Sequence, residues 1–269
     1  MLPAVGVLAA AAALLVLTAP HVLTLGTWHV HHPRTALTLW FSAFFGGCAL
    51  ALSAVVLLLA AAVSASGVST AAGGIALTLV AWLSLGLLGV LLGLLLVTAP
   101  PLAESHRRAV RSLGPAAISR EPRRGFTLVR LRSSTPCACA TPGRSAEILV
   151  STALETVLSP AQLQAVLAHE YAHLRYRHSW AVRIAEINAR CLPRHLAAGP
   201  KLRQATLRLV ELVADDAAAR QAGAAHLANA LAQMAQLTGD PSLELRAERL
   251  TLRRWPPARR CRVPEPIRI

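Results

Sequence analysis

Apolar residues gather into three long runs at the start of the chain and then give way to short periodic stretches. The runs are about 2–25, 36–63 and 75–97, and none contains a charged side chain. Each meets the requirement of about 20 residues for a helix that crosses a hydrocarbon core of about 30 Å. The first run lacks the basic start of a secretory signal, so it reads as a span. Beyond residue 100 the pattern changes. Phe126–Leu131 and Glu147–Ser151 predict short strands, with a turn at Thr141-Pro142-Gly143-Arg144 and Cys137–Ala140 between them, as a small sheet or hairpin.

Four helices follow. Ser159-Pro160-Ala161-Gln162 has the capping-box pattern with proline at the first helical position. Leu163, Val166, Leu167, Glu170, His173 and Leu174 recur at helical spacing, which predicts a helix from Pro160 to about Tyr176. Ser179–Leu192 predicts another, stopped by Pro193. A third runs from Gly199-Pro200 to Gly223, and Ala224–Leu237 forms a last one. The organisation expected is a membrane domain over 1–100, a cytoplasmic domain over 101–240 and a basic, proline-containing tail over 241–269.

Charge orients the spans. The first hundred residues carry Arg34 and no Lys, Asp or Glu, whereas residues 101–133 hold eight arginines. The positive-inside rule puts the N-terminus outside and everything after Pro100 in the cytoplasm of a multi-pass cell-membrane protein. The formal net charge of +14 lacks aromatic interleaving, so contact with anionic lipid explains it better than nucleic acid, and no nucleic-acid partner is expected. Five cysteines, one inside a span, argue against a disulfide framework. Cys137-x-Cys139 is one residue short of the usual metal knuckle and reads as two small strand residues. His29, His31 and His32 read as a headgroup-level loop rather than a metal cluster.

The informative constellation is His169-Glu170-Tyr171-Ala172-His173. Residues four apart share a helix face, so both imidazoles can point at one metal ion. Zinc in catalytic sites favours three protein ligands and leaves one position open. Glu170 can then serve as general base. Downstream acids that could complete the set include Glu186, Glu211, Asp215, Asp216, Glu244, Glu248 and Glu265. Glu211 is the attractive one, because an acid among Leu209, Val210, Leu212, Val213 and Ala214 needs a partner. Asp215, one turn on, could accept the second ring N–H of a ligand histidine. Asp216 points about 100° away and reads as surface. Tyr171 reads as a packing residue, and His178 as a helix-end residue rather than an oxyanion stabiliser.

His169–His173, followed 38 residues later by Glu-x-x-Ala-Asp, resembles the gluzincin pattern of membrane zinc metallopeptidases. The BlaR/MecR-type family is the nearer likeness, because three spans precede the motif, and the HtpX and CAAX prenyl protease family is the more distant one. The approach through Ile148–Leu154 and Leu158–Ala168 is similar to both, and the resemblance covers about residues 75–220. It implies one zinc ion per chain held by His169, His173 and Glu211, with Glu170 catalytic and Asp215 behind the ligands. It also implies a protein or peptide substrate pairing as a strand with an edge at Cys137, Ala138, Cys139 and Ala140. The antibiotic sensors carry an acylable Ser-x-x-Lys. The only lysine here is Lys201 with Ala198 three residues before it, so β-lactam sensing by this chain is not expected.

The fold class expected is thus a mainly α membrane protein, three transmembrane helices followed by a cytoplasmic α+β zincin-like domain. The function expected is zinc-dependent endopeptidase action on a protein near the lipid bilayer. A non-catalytic signalling or scaffold protein that retains the fold is the rival reading.

Overall fold

The computed structural model describes residues 2–65, 75, 78–86, 88–90, 93, 116–143, 145–192 and 196–256. Its architecture is mostly helical, with two long apolar N-terminal helices and a small α+β domain. The chain divides into two compact units. One comprises Met1–Ala103 and Arg183–Leu209, the other Glu104–Val182 and Val210–Ile269.

In the first unit, α1 (Leu2–Val22) and α3 (Pro33–Ala65) pack side by side, with the single turn α2 (Trp28–His31) between them in sequence. At 1.5 Å per residue, α1 is about 32 Å long and α3 about 50 Å, so both have the length and apolarity to cross a bilayer. Gly46 and Gly47 lie at this contact, and a methyl group at either would meet α1 at ordinary van der Waals distance, 3.6 Å from Leu15 and 3.7 Å from Val16 respectively. Ala36 and Trp40 of α3 are buried with Ala185, Leu202 and Leu209. Most other apolar side chains of both helices, among them Leu14, Leu17, Phe45 and Leu52, remain exposed. The third expected span is helical over 78–86 and 88–90, and the rest of it lies largely outside the described residues, as do the basic segment 101–115 and the tail beyond 256.

The second unit is built on four strands: β1 (Ala117–Arg123), β2 (Phe126–Leu131), β3 (Ala138–Thr141) and β4 (Glu147–Ser151). Their order is β1-β2-β4-β3. The two strands expected from sequence are present with the expected bounds, yet they do not form a hairpin with each other. They run parallel, Thr127 opposite Glu147 and Leu131 opposite Ser151, because the chain goes out through β3 and returns as β4 between β2 and β3. β1 is an additional strand, joined to β2 by a turn at Gly125, whose φ of +96° favours glycine.

Helix α4 (Thr152–Val157) starts where Ser151 Oγ accepts from the Leu154 N–H at 3.2 Å. Helix α5 (Pro160–Arg175) has the expected capping box: Ser159 N–H donates to Gln162 Oε1 at 2.7 Å, and Gln162 N–H to Ser159 Oγ at 3.4 Å. After α5 come α6 (His178–Cys191), α7 (Ala198–Ala222), α8 (Ala224–Thr238) and α9 (Pro241–Leu252).

Two cores hold α5 in place. Val166 and Leu167 pack with Leu128, Ile148 and Val150 of the sheet, and with Leu154 and Leu158. Ala165 and Ala168 pack against Ala218 and Ala219 of α7, Leu227 and Leu231 of α8, and Leu250 of α9. The segment 241–252, which the sequence reading leaves in the tail, is therefore a packed helix. Asp240 caps it, accepting the Ser242 N–H at 2.8 Å. Asp216 also departs from expectation. It is buried beneath Arg249 at 2.7 Å, Arg253 at 3.1 Å and Arg220 at 3.7 Å, and the last two guanidiniums lie over the Trp255 ring.

Candidate metal centre

The middle of α5 presents one face to the sheet and another to α7–α9, and between these it directs His169 and His173 toward a common point. The helix spacing brings the two Nε2 atoms to 3.1 Å from each other. Glu211, from the long helix α7, faces both, with Oε2 3.3 Å from His169 Nε2 and Oε1 3.5 Å from His173 Nε2. Among the described residues, these three side chains form the group that could hold a metal ion. His29, His31 and His32 form no such group among those residues.

The donor set fits zinc. Two imidazole nitrogens and a carboxylate are the ligand types of a catalytic zinc site. With bonds of about 2.0–2.1 Å, the edges of a zinc tetrahedron are about 3.3 Å long. The two Nε2 atoms are 3.1 Å apart, and each has a different Glu211 oxygen at a similar distance, Oε2 at 3.3 Å from His169 and Oε1 at 3.5 Å from His173. The Glu211 side chain is 37% exposed, which leaves one side of the group open to water.

Asp215, one helical turn beyond Glu211, is fully buried, and its Oδ1 lies 3.0 Å from His169 Nδ1. Such a contact favours the proton on Nδ1 and a lone pair on Nε2. Burial pulls the His169 pKa down, but hydrogen bonds to Asp215 and Glu211 outweigh it, and the group is pushed up to about 9. His173 goes the other way, lowered to about 4 by burial and by the charge of His169. Burial also raises the Glu211 carboxyl, yet its hydrogen bond with His169 and the nearby charges of His169 and Arg246 bring it down to about 2.

Glu170 turns to the edge of the sheet, where its Oε2 accepts the Ala140 N–H at 2.8 Å. Burial raises its pKa, against the neighbouring His169 charge and this hydrogen bond. The expected substrate edge at Cys137–Ala140 coincides with β3, which begins one residue later, at Ala138, and is an outer strand of the sheet. Cys137 C=O accepts from Ser151 N–H at 3.0 Å, so by the alternation of antiparallel pairing Cys139 also faces β4. Ala138 and Ala140 then turn their backbone polar groups outward. The Cys139 thiol is pushed up to about 11, chiefly by desolvation and then by Glu170 and Cys137, and it is not part of the metal-type group. Tyr171 packs against Phe126 with ring centroids 5.7 Å apart.

Arg246 of this centre escapes the sequence reading, and His178, at a helix end as expected, also reaches the centre. Arg246 of α9 bonds Asp215 through Nε and Nη2, and its Nη1 lies 3.0 Å from Glu211 Oε2. Its only local signal is a place in an arginine-rich segment. His178 starts α6 and is buried, with Nδ1 3.1 Å from His173 Nδ1.

No curated protein and no solved structure matches the chain. A family model does, over residues 102–254, more than half of the 269-residue chain and every side chain of this centre. On that match, the donor geometry around His169 and the helix α9 that reaches back to it have one common explanation: the chain belongs to peptidase family M48, whose members are zinc-dependent metallopeptidases.

Proposed function

We propose that the chain is a membrane-embedded zinc endopeptidase that hydrolyses a protein substrate at the cytoplasmic face of the membrane. The observation that carries this reading is the convergence of His169 Nε2, His173 Nε2 and the Glu211 carboxylate, close enough together to hold one metal ion, with Glu170 next to His169 in the chain.

In this reading His169, His173 and Glu211 hold one zinc ion per chain. The metal supplies Lewis acidity, lowering the pKa of a water and polarising the scissile carbonyl. Glu170 takes the proton of the attacking water on its carboxylate and passes it to the leaving amine. Burial raises its pKa, the direction that favours a group which must both accept and release a proton. Asp215 keeps the His169 lone pair directed at the metal, and Arg246 holds the two carboxylates Asp215 and Glu211 in register. A substrate strand adds to β3 through the outward backbone groups of Ala138 and the C=O of Ala140, whose N–H is held by Glu170, and Cys137 marks where that edge begins.

The exposed apolar faces of α1 and α3 suit lipid contact, and the arginines that follow residue 100 suit the cytoplasmic leaflet. We assign residues 1–100 to a membrane domain with the third span at about 75–97. The catalytic domain starts near 101, and α9 belongs with it because it carries Arg246. The basic tail follows.

One observation favours a scaffold without turnover: Arg246 Nη2 is 3.4 Å from His169 Nε2, so a guanidinium lies against a ligand nitrogen. Metal analysis of the detergent-purified chain tests the metal site, and peptide cleavage that is lost in Glu170→Gln separates a peptidase from a scaffold that binds zinc without turnover. Zinc at about one per chain, lost in His169→Ala and in Glu211→Ala, supports the peptidase. A folded wild type without metal refutes it.

A further inference from the structure

Each zinc-binding histidine in the proposed centre has a second ring nitrogen, and the group that faces it selects the tautomer. For His169 that group is Asp215. For His173 it is another imidazole, the Nδ1 of His178, at 3.1 Å. We infer that His178 is a positioning residue that keeps the proton of His173 on Nδ1 and so frees its Nε2 for the metal. The inference rests on the zinc reading of the centre.

The logic is one of proton counting. Two Nδ1 atoms at hydrogen-bond distance share one hydrogen. If it belongs to His178, a neutral His173 must carry its own hydrogen on Nε2, where it blocks the ligand lone pair. If it belongs to His173, Nε2 is free and turned toward Nε2 of His169. His178 then accepts on Nδ1 and carries its hydrogen on Nε2. An acceptor here does for His173 what the carboxylate does for His169, without adding a further negative charge beside Glu211, Asp215 and Glu170.

The local backbone is built to deliver this ring. Helix α5 ends at Arg175 and α6 begins at His178, only three residues on. The reversal is made by Arg177 at φ +52°, a left-handed conformation that costs a non-glycine residue about 1 kcal/mol or more. Arg177 N–H donates to Leu174 C=O at 3.2 Å and Trp180 N–H to Arg177 C=O at 2.9 Å, which ties the turn to both helices. Tyr176 stacks on the His178 ring, with centroids 5.7 Å apart and planes 30° apart. The His178 ring meets His173 edge-on at 4.9 Å and 86°, and the residue is only 3% exposed. A residue that merely started a helix would need neither that burial nor that strain.

The test uses the full chain in detergent and reads zinc affinity by competition with a fluorescent chelator. His178→Phe keeps the ring and its stacking but removes the acceptor, and is expected to weaken zinc binding about 10–100-fold. His178→Asn, whose amide oxygen can stand near the lost Nδ1, is expected to recover most of it. A folded His178→Phe that binds zinc as tightly as wild type overturns the inference. Should that variant not fold, nitrogen-15 histidine spectra of the zinc-loaded wild type decide. Protons on His173 Nδ1 and His178 Nε2 support the assignment, and a proton on His178 Nδ1 overturns it. Failure of wild type to bind zinc defeats the metallopeptidase reading and this inference together, whereas a zinc-binding wild type with an indifferent His178→Phe defeats this inference alone.

Discussion

Arg246 grips Asp215 with two parallel hydrogen bonds, Nε to Oδ2 at 2.8 Å and Nη2 to Oδ1 at 2.7 Å, across a separation of 31 residues. Fork-on-fork pairing of this kind is both strong and directional. It fixes the carboxylate that faces His169, and it does so from a helix that contributes no ligand to the proposed metal. Asp215 is fully buried, so truncation to Arg246→Ala strands a charge without water. Breaking a buried pair by removing one partner costs about 3–5 kcal/mol. Urea unfolding of the metal-free protein should show a loss of that order, and Arg246→Lys should recover only part of it, because an ammonium cannot bond both oxygens in one plane.

Zinc binding should release a proton. In the metal-free protein His169 sits at about 9 and His173 at about 4, so at pH 7 one of the two ligand histidines carries an extra proton that the metal must displace. Apparent affinity should climb about tenfold per pH unit from near pH 5 to near pH 9 and then level off. Calorimetric titration in buffers of different ionisation enthalpy counts the protons directly. The same shift makes a stability statement. The folded pKa of His169 is raised, so its contribution to the metal-free fold is complete below about 6.5 and lost as pH rises through about 9.

Glu170→Gln should separate chemistry from metal binding. The amide keeps an acceptor for the Ala140 N–H but cannot take a proton, so cleavage of quenched-fluorescence peptides should fall by about 10²–10⁴. Zinc content should stay at the wild-type value. A variant that cuts at the wild-type rate removes Glu170 from the role of base.

Substrate pairing at β3 can be tested with a proline. Ala138 N–H faces away from β4 in the register that pairs Cys139 with Leu149, so Ala138→Pro leaves the β3–β4 hydrogen bonds in place. It removes a donor from the open edge. KM should rise with zinc content and folding unchanged. An unaltered KM would mean that substrate docks elsewhere.

The turn before His178 predicts an asymmetry between two substitutions at an exposed site. Arg177→Gly relieves the left-handed backbone at φ +52° and should be neutral or slightly stabilising in thermal melts. Arg177→Val, β-branched, should destabilise by about 1–2 kcal/mol and loosen zinc by displacing His178. Equal effects from both would show that the turn carries no strain.

What could be read from the sequence alone is what depends on neighbours along the chain. Ser159, Pro160 and Gln162 announce the start of α5 because a capping box closes within four residues. The 3.6-residue period then places His169 and His173 on one face, and Glu211 and Asp215 one turn apart. Apolar runs and the arginines after them supply a length and an orientation for a bilayer without any knowledge of packing.

Tertiary structure decided the rest, and the reason is contact order. β1 alternates half-buried and exposed positions too weakly to announce itself, and it is a strand because it pairs with β2. The parallel pairing of β2 with β4 depends on where β3 goes, which no local pattern encodes. Asp216 looks like a surface residue until Arg249 of α9 and Arg253, just past its end, close over it. Arg246 is one of 27 basic side chains, and nothing in its neighbours marks it. Only the packing of α9 on α8, through Leu250 and Leu227, brings its guanidinium 31 residues back to Asp215. Local periodicity determined which residues could face a metal; the long-range packing of helices decided what stands behind them.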